Sequence, residues 1–208
     1  MFVDIHTHTS DNQSIIRIID NEFNEIILTS QGIHPWDVED MAAEAFSIPA
    51  DGKNDMFAIG EVGLDKAHKS TFDKQIEVFA EMIKLSENLR KPMIIHCVRA
   101  YSDIIAMRKQ LKATMPWVIH GFNGNVETLL QLLKHDIYIS LGEVLYRNED
   151  KAAEIIKNLP IDRLFLETDV SGRDIKDVYT KAAMLMYCSL DYLCDKIYEN
   201  YGRLETAH

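Results

Sequence analysis

The chain has 208 residues, of which 47% are hydrophobic and 26% charged, and its formal net charge is −11. That length and apolar content suffice for one full-sized core and fit a single domain over residues 1–208. The acidic balance argues against stable duplex DNA binding, which depends on phosphate neutralisation. The lack of any apolar run of about 18 residues argues against a membrane span.

In chain order, the first element is VDIHTHTS (3–10), a strand that sets Asp4, His6 and His8 on one face. The polar stretch TSDNQS (9–14) leads into IIRIID (15–20), read as a strand. NEFN (21–24) is a tight connection to a further strand, EIILTSQG (25–32). A parallel crossover needs about a dozen residues or more, so a link this short can only reverse the chain. An antiparallel strand is therefore expected near residues 14–31, and the N-terminal helices of a regular (β/α) barrel are expected to be missing.

From residue 56 the pattern becomes regular. Strands are predicted at 56–65, 92–99, 117–124, 137–143 and 163–169, with helical apolar spacing at 70–90, 100–113, 125–135 and 148–159. Ser70 is expected to cap the first helix, with Asp73 in its first turn. Pro92 and Pro160 stand where helices stop. DVYTKAAMLMYCSLDYLCDKIYENYG (177–202) reads as one helix packed outside the barrel. Strand and helix in alternation specify a mostly parallel sheet with right-handed crossovers. No glycine-rich phosphate loop follows the first strand, so the fold class expected is α/β, a distorted TIM-like barrel.

His6, His8, Glu61, His96, His120 and Asp169 all fall at the C-terminal ends of predicted strands, the face where α/β barrels carry their active sites. Strand residues i and i+2 lie about 7 Å apart on one side, so His6 and His8 can reach one ion. Mixed imidazole and carboxylate ligands suit zinc, and manganese or magnesium when water completes the shell. Six ligands suffice for two divalent ions per chain if one carboxylate bridges them, and two ions about 4 Å apart can clamp a reacting oxygen. The strand at 137–143 carries no ligand.

The motifs DIHTH (4–8), GIHPW (32–36), AIGEVGLD (58–65), IIHCVRA (94–100), IHGFNGN (119–125) and LFLETD (164–169), with NYGR (200–203), resemble in order those of the TatD family of metal-dependent hydrolases, in the amidohydrolase-like superfamily. The resemblance implies that His6, His8, Glu61 and Asp169 hold one metal, and that Glu61, His96 and His120 hold the second. It also implies that Asp169 is the general base for a metal-activated water, and that the substrate is a phosphodiester, with deoxyribonuclease activity the usual assignment. The sequence departs from the family after DIHTH, where helical material is absent, and after ETD, where VSGRDIKD (170–177) replaces a proline-rich segment. Both departures fall on loops that shape the substrate cleft rather than on ligands.

Further residues are expected around the ligands. Asp4 lies beneath the histidines and is read either as orienting one of them or as a buried carboxylate bonded only to backbone. His34 is read as a substrate contact or part of a rigid turn with Pro35, and Arg99 as a grip on an anionic substrate through paired hydrogen bonds or, alternatively, a salt bridge to a loop carboxylate. Asp65 and Asn123 are candidate substrate contacts; the former could instead anchor its loop, the latter a turn. Lys66, His68 and Lys69 read as a solvated basic loop and Cys97 as core packing. Glu143 ends the strand without a ligand, and Glu167 is left between buttressing the site and turning away from it.

Cys97, Cys188 and Cys194 form no paired framework, and the opening MFVDIHTH lacks a signal peptide's basic and apolar parts, so a reduced cytoplasmic protein is expected. The substrate is expected to be a small molecule or single-stranded nucleic acid. The rival readings are hydrolysis of a small-molecule amide or ester, and a non-catalytic metal-binding relative. Cationic groups at the cleft mouth would favour the phosphodiester.

Overall fold

The structure, a computed structural model, describes residues 1–11, 13–20, 22, 24–39 and 56–206. Its framework is an eight-stranded sheet in which strands adjacent in sequence are adjacent in space. The strands are β1 (Phe2–His8), β2 (Ser14–Ile19), β3 (Glu25–Gln31), β4 (Met56–Asp65), β5 (Met93–Val98), β6 (Trp117–Ile119), β7 (Ile137–Leu141) and β8 (Leu164–Leu166). A parallel bridge between Thr7 and Asp169, with the Asp169 N–H donating to the His6 carbonyl at 3.0 Å, joins the last strand to the first.

The first three strands form an antiparallel meander, and β3 to β8 pair in parallel. The reversals are built by short polar side chains. The Thr9 hydroxyl accepts from Gln13 N at 3.0 Å. The Asp20 carboxylate accepts from Glu22 N and Asn24 N at 2.8 and 2.9 Å. Two reversals restore the direction of β1 in β3, which is why β3 can pair in parallel with β4. The expected antiparallel strand is β2, and no helix lies between β1 and β3 among the described residues.

The helices are α1 (Phe72–Leu89), α2 (Tyr101–Gln110), α3 (Val126–Leu133), α4 (Val144–Arg147), α5 (Glu149–Asn158), α6 (Ile175–Met186) and α7 (Leu190–Glu205). In α1 the buried set Gln75, Val78, Phe79, Met82, Ile83 and Ser86 follows helical spacing and faces the sheet. The expected Ser70 cap does not form. Residues Lys69–Thr71 make a 3-10 turn, and Thr71 holds the cap position without a side-chain bond. Gln75 ties this junction instead: its Nε2 donates to Asp65 O, His68 O and Thr71 Oγ1, and its Oε1 accepts from Asp65 N. Asn125, Asn148, Asp174 and Ser189 cap α3, α5, α6 and α7 by accepting backbone N–H bonds.

The single helix expected at 177–202 is two. Tyr187 adopts the left-handed conformation at φ 53° and ends α6, and Ser189 starts α7. Apolar periodicity continues across the break, so it hides a stop made by a tyrosine rather than a glycine. Buried Tyr179 on α6 ties this region to β1, donating to Val3 O and accepting from Val3 N, each at 3.0 Å. β6 and β8 are shorter than predicted because their last predicted residues leave the ladder: Gly121 lies at φ 57° and Asp169 at φ 49°. Among the described residues, no helix is long and apolar enough to cross a membrane.

Candidate metal centre

The C-terminal ends of β1, β4 and β5 and the residues just past β6 and β8 bring His6, His8, Glu61, His96, His120 and Asp169 around one carboxylate, that of Glu61. Its Oε2 lies 3.3 Å from His6 Nε2 and 3.6 Å from His8 Nε2. Its Oε1 lies 2.7 Å from His96 Nδ1, 2.8 Å from His120 Nε2 and 3.3 Å from His34 Nε2. Asp169 Oδ1 stands 3.7 Å from His6 Nε2 and 3.5 Å from His8 Nε2. The two oxygens of Glu61 thus face two separate groups of imidazoles.

Spacing and hydrogen bonding test whether a cation fits. Zinc bonds of about 2.0–2.1 Å in a tetrahedron put neighbouring ligand atoms about 3.3 Å apart. The separations among His6, His8, Glu61 Oε2 and Asp169 run from 3.3 to 3.7 Å. These exceed ordinary hydrogen bonds and match cation ligands. His6 Nε2 is buried and makes no hydrogen bond, while Ser14 Oγ sits 3.2 Å from its Nδ1 and fixes the ring. On the other side of Glu61 the His96 and His120 contacts are at hydrogen-bond length. His6, His8 and Glu61 form one compact donor group, His34, Glu61 and His96 another, and His6, His120 and Asp169 a third.

Electrostatics reinforce the arrangement. Burial would raise the Glu61 pKa, but His120 above all, with His34 and His6 beside it, holds the carboxylate far below its ordinary range. Burial likewise opposes charge on His120, yet Glu61 and Glu167 raise its pKa well above the ordinary value. Burial and the charge of His120 lower that of His6. Asp169 stays below its usual range despite burial, because of His8, His120 and His6.

Several expected contacts take other places. Asp65 takes the loop-anchoring place of its two expected readings: it is 2% exposed, and its carboxylate accepts from Trp36 Nε1 at 2.8 Å and Ala67 N at 2.7 Å. It also lies 3.5 Å from His96 Nε2, on the side of the ring away from Glu61, without a hydrogen bond to it. Asp4 is fully buried, and its carboxylate accepts from Thr168 N at 2.9 Å and Thr168 Oγ1 at 2.7 Å, bracing the backbone just before Asp169. Burial pushes its carboxyl up to about 7, against the Thr168 bonds and Arg17.

His34, expected at the substrate, stands among the candidate ligands. Arg99 is exposed at φ 56° and lines neither cavity beside the cluster. Asn123 binds Lys151 Nζ through its carbonyl at 2.6 Å and its Oδ1 at 2.7 Å. Lys66 pairs with Asp103 at 2.5 Å. Glu143 is held by Arg173 at 3.2 Å. Glu167 buttresses the site: its Oε1 accepts from Gly121 N at 2.6 Å and lies 3.8 Å from His120 Nδ1. Cys97 packs in the core, and burial pushes its thiol up to about 12. Ser14 and Thr168 escaped the sequence reading. For Ser14 a signal existed, since the start of a reversed strand comes to the same end as the His8 end of β1.

Two cavities flank the cluster. One, of about 620 Å³, is walled by His8, His34, Trp36, Glu61, His96 and Asp169 among others. The second, of about 670 Å³, shares Asp169 and carries Arg147, Lys151, Asn123 and Glu143.

A sequence model of the family described as "TatD related DNase" matches residues 1–205. An uncharacterized metal-dependent hydrolase, YabD, of Bacillus subtilis (strain 168) is 34% identical over 165 residues, covering 76% of this chain and 65% of that protein. The "Deoxyribonuclease Tat-D" of Schizosaccharomyces pombe is 23% identical over 168 residues, covering 73% of this chain and 54% of that protein. The chain thus spans a little over half to two-thirds of these relatives' lengths. The crystal structure of a TatD family hydrolase from Entamoeba histolytica superposes with a TM-score of 0.75 at 20% identity, covering 87% of this chain and 75% of that one. That likeness bears on the fold.

Proposed function

Since this chain belongs to the TatD family, we propose that it is a metal-dependent hydrolase that cleaves phosphodiester bonds, as a nuclease acting on unpaired strands. The observation that carries the reading is the division of Glu61, whose Oε2 faces His6 and His8 while its Oε1 faces His34, His96 and His120. In this reading His6, His8, Glu61 and Asp169 hold one divalent cation, and Glu61, His96 and His120, with His34 beside them, hold a second. Zinc, manganese and magnesium all suit this set. When bound, such cations lower the pKa of water and neutralise charge on a phosphoryl oxygen.

The chain's own groups supply the rest. The Asp169 carboxylate, kept ionised by its histidine neighbours, accepts the proton of the attacking water. Asp4 and Thr168 hold that carboxylate's backbone, and Glu167 and Asp65 stand at the outer sides of His120 and His96. Arg147 and Lys151 line the second cavity beside Glu143, Glu167 and Asp169, and would be the groups to meet an anionic substrate extending past Asp169. The free state of Cys97, Cys188 and Cys194 is in keeping with a reducing, cytoplasmic setting.

A second reading, hydrolysis of an uncharged amide or ester, is favoured by one feature: among the described residues the first cavity's wall includes no lysine or arginine. The deciding experiment measures metal per chain, then hydrolysis of a single-stranded oligonucleotide and of a small amide and ester panel. Wild type should bind close to two ions and cut the oligonucleotide, and Glu61→Gln should lose both metal and cleavage. Cleavage confined to the amide or ester panel would replace the phosphodiester reading.

A further inference from the structure

The first cavity is also walled by Trp36, whose side chain is 57% exposed beside a cluster of buried groups. Leaving so much indole in water forgoes burial that folding ordinarily gains. The ring is nevertheless held. Its Nε1–H donates to Asp65 Oδ2 at 2.8 Å, and Asp65 is itself fixed by Ala67 N and Gln75. The His34 ring meets the indole edge-on at 4.9 Å between centroids, His96 stands at 6.0 Å, and His68 leans on it at 5.0 Å with a 39° tilt. A flat apolar surface is thus fixed at one edge, exposed elsewhere, and one ring away from the imidazoles that face Glu61.

Such a surface suits a planar, unstacked ring. Base–aromatic stacking tolerates any base but requires that the base be free of its duplex neighbours. We propose that Trp36 is a specificity-determining residue that stacks on the base of the nucleotide whose phosphate lies at the Glu61 cluster, so that the substrate is a strand with unpaired bases. This rests on the phosphodiesterase reading above. It adds what that cluster cannot supply, a preference for phosphodiesters that carry a base.

The chain holds two tryptophans, and Trp117 is fully buried, so a ligand-dependent change in tryptophan emission reports Trp36. Stopped-flow fluorescence should follow metal-loaded wild type mixed with a short single-stranded oligodeoxynucleotide, or with an abasic strand of equal length, before turnover. Steady-state cleavage of both strands should then be compared for wild type, Trp36→Ala and Trp36→Phe. The base-bearing strand should quench emission and the abasic strand should not. Trp36→Ala should lower the ratio of kcat/KM for base-bearing over abasic strand by about 5- to 100-fold, chiefly through KM. Trp36→Phe, which keeps a ring but loses the bond to Asp65, should restore most of that ratio.

A role confined to bracing Asp65 and His96 would lower cleavage of both strands alike in both variants, leaving the ratio unchanged, and would overturn the proposal. Cleavage of both strands by wild type without a base-dependent quench would overturn the stacking role alone. Cleavage of neither strand would overturn the phosphodiesterase reading, and the stacking role with it.

Discussion

The two parts of the barrel solve one problem differently. From β4 to β8, crossovers through helices keep every strand pointing the same way, and β7 and β8 are buried along their whole length. From β1 to β3, two tight reversals achieve the same final direction, and β3 leaves Ile26 and Ile27 58% and 56% exposed. Direction at the site end survives both routes, because a double reversal is equivalent to one crossover. The meander also places the start of β2, rather than an end, beside the ligands. Ser14 can therefore steady His6 at 3.2 Å, whereas in the regular part the carboxylates of Asp65 and Glu167 stand 3.5 and 3.8 Å from His96 and His120.

The comparison is broken most severely where the parts meet. Asp169→Asn keeps the shape and the N–H bond to His6 but removes the proton acceptor, and it should lower kcat by roughly 10²–10⁴-fold with the melting temperature little changed. Activity near wild type would reassign the base. Packing should separate the parts next. Ile95→Ala in fully buried β5 should cost about 2–5 kcal/mol in denaturant unfolding. Ile27→Ser in β3 should stay within about 0.5 kcal/mol. Equal losses would mean that β3 is as much a core strand as β5.

Ser14→Ala sharpens the comparison at the site. Losing the partner of His6 Nδ1 should weaken metal affinity by about 10- to 100-fold, measured by competition with a chelator, with little change in stability. Unchanged affinity would make the meander a mere spacer. The smallest effect is chemical. Burial raises the thiol pKa of Cys97 to about 12 and of Cys194 to about 11, so both stay protonated at pH 8. A thiol reagent should modify half-buried Cys188 first and the other two only on unfolding, and rapid labelling of Cys97 in the native protein would show that β5 opens.

Much of this was legible before any coordinates. Helical and strand periods located the elements from residue 56 onward, and the shortness of NEFN required a reversal, since four residues cannot carry a parallel crossover. His6, His8, Glu61, His96, His120 and Asp169 could be collected because strand polarity alone puts strand ends on one face. The break at Tyr187 was hidden, because apolar spacing does not encode a left-handed tyrosine. The partner of Asp4 is not legible in the sequence because a shared face does not fix a partner: its carboxylate reaches Thr168, 164 residues away in the chain.

By itself, then, the sequence determined the order and direction of the strands and the residue types at their ends, since those follow from local spacing and loop length. Only the tertiary structure decided which oxygen of Glu61 faces which imidazole, that Asp65 is buried while the Trp36 beside it is exposed, and that His34 joins the imidazoles around Glu61. Those facts depend on distances of 3–4 Å between residues far apart in the chain, which no local pattern specifies.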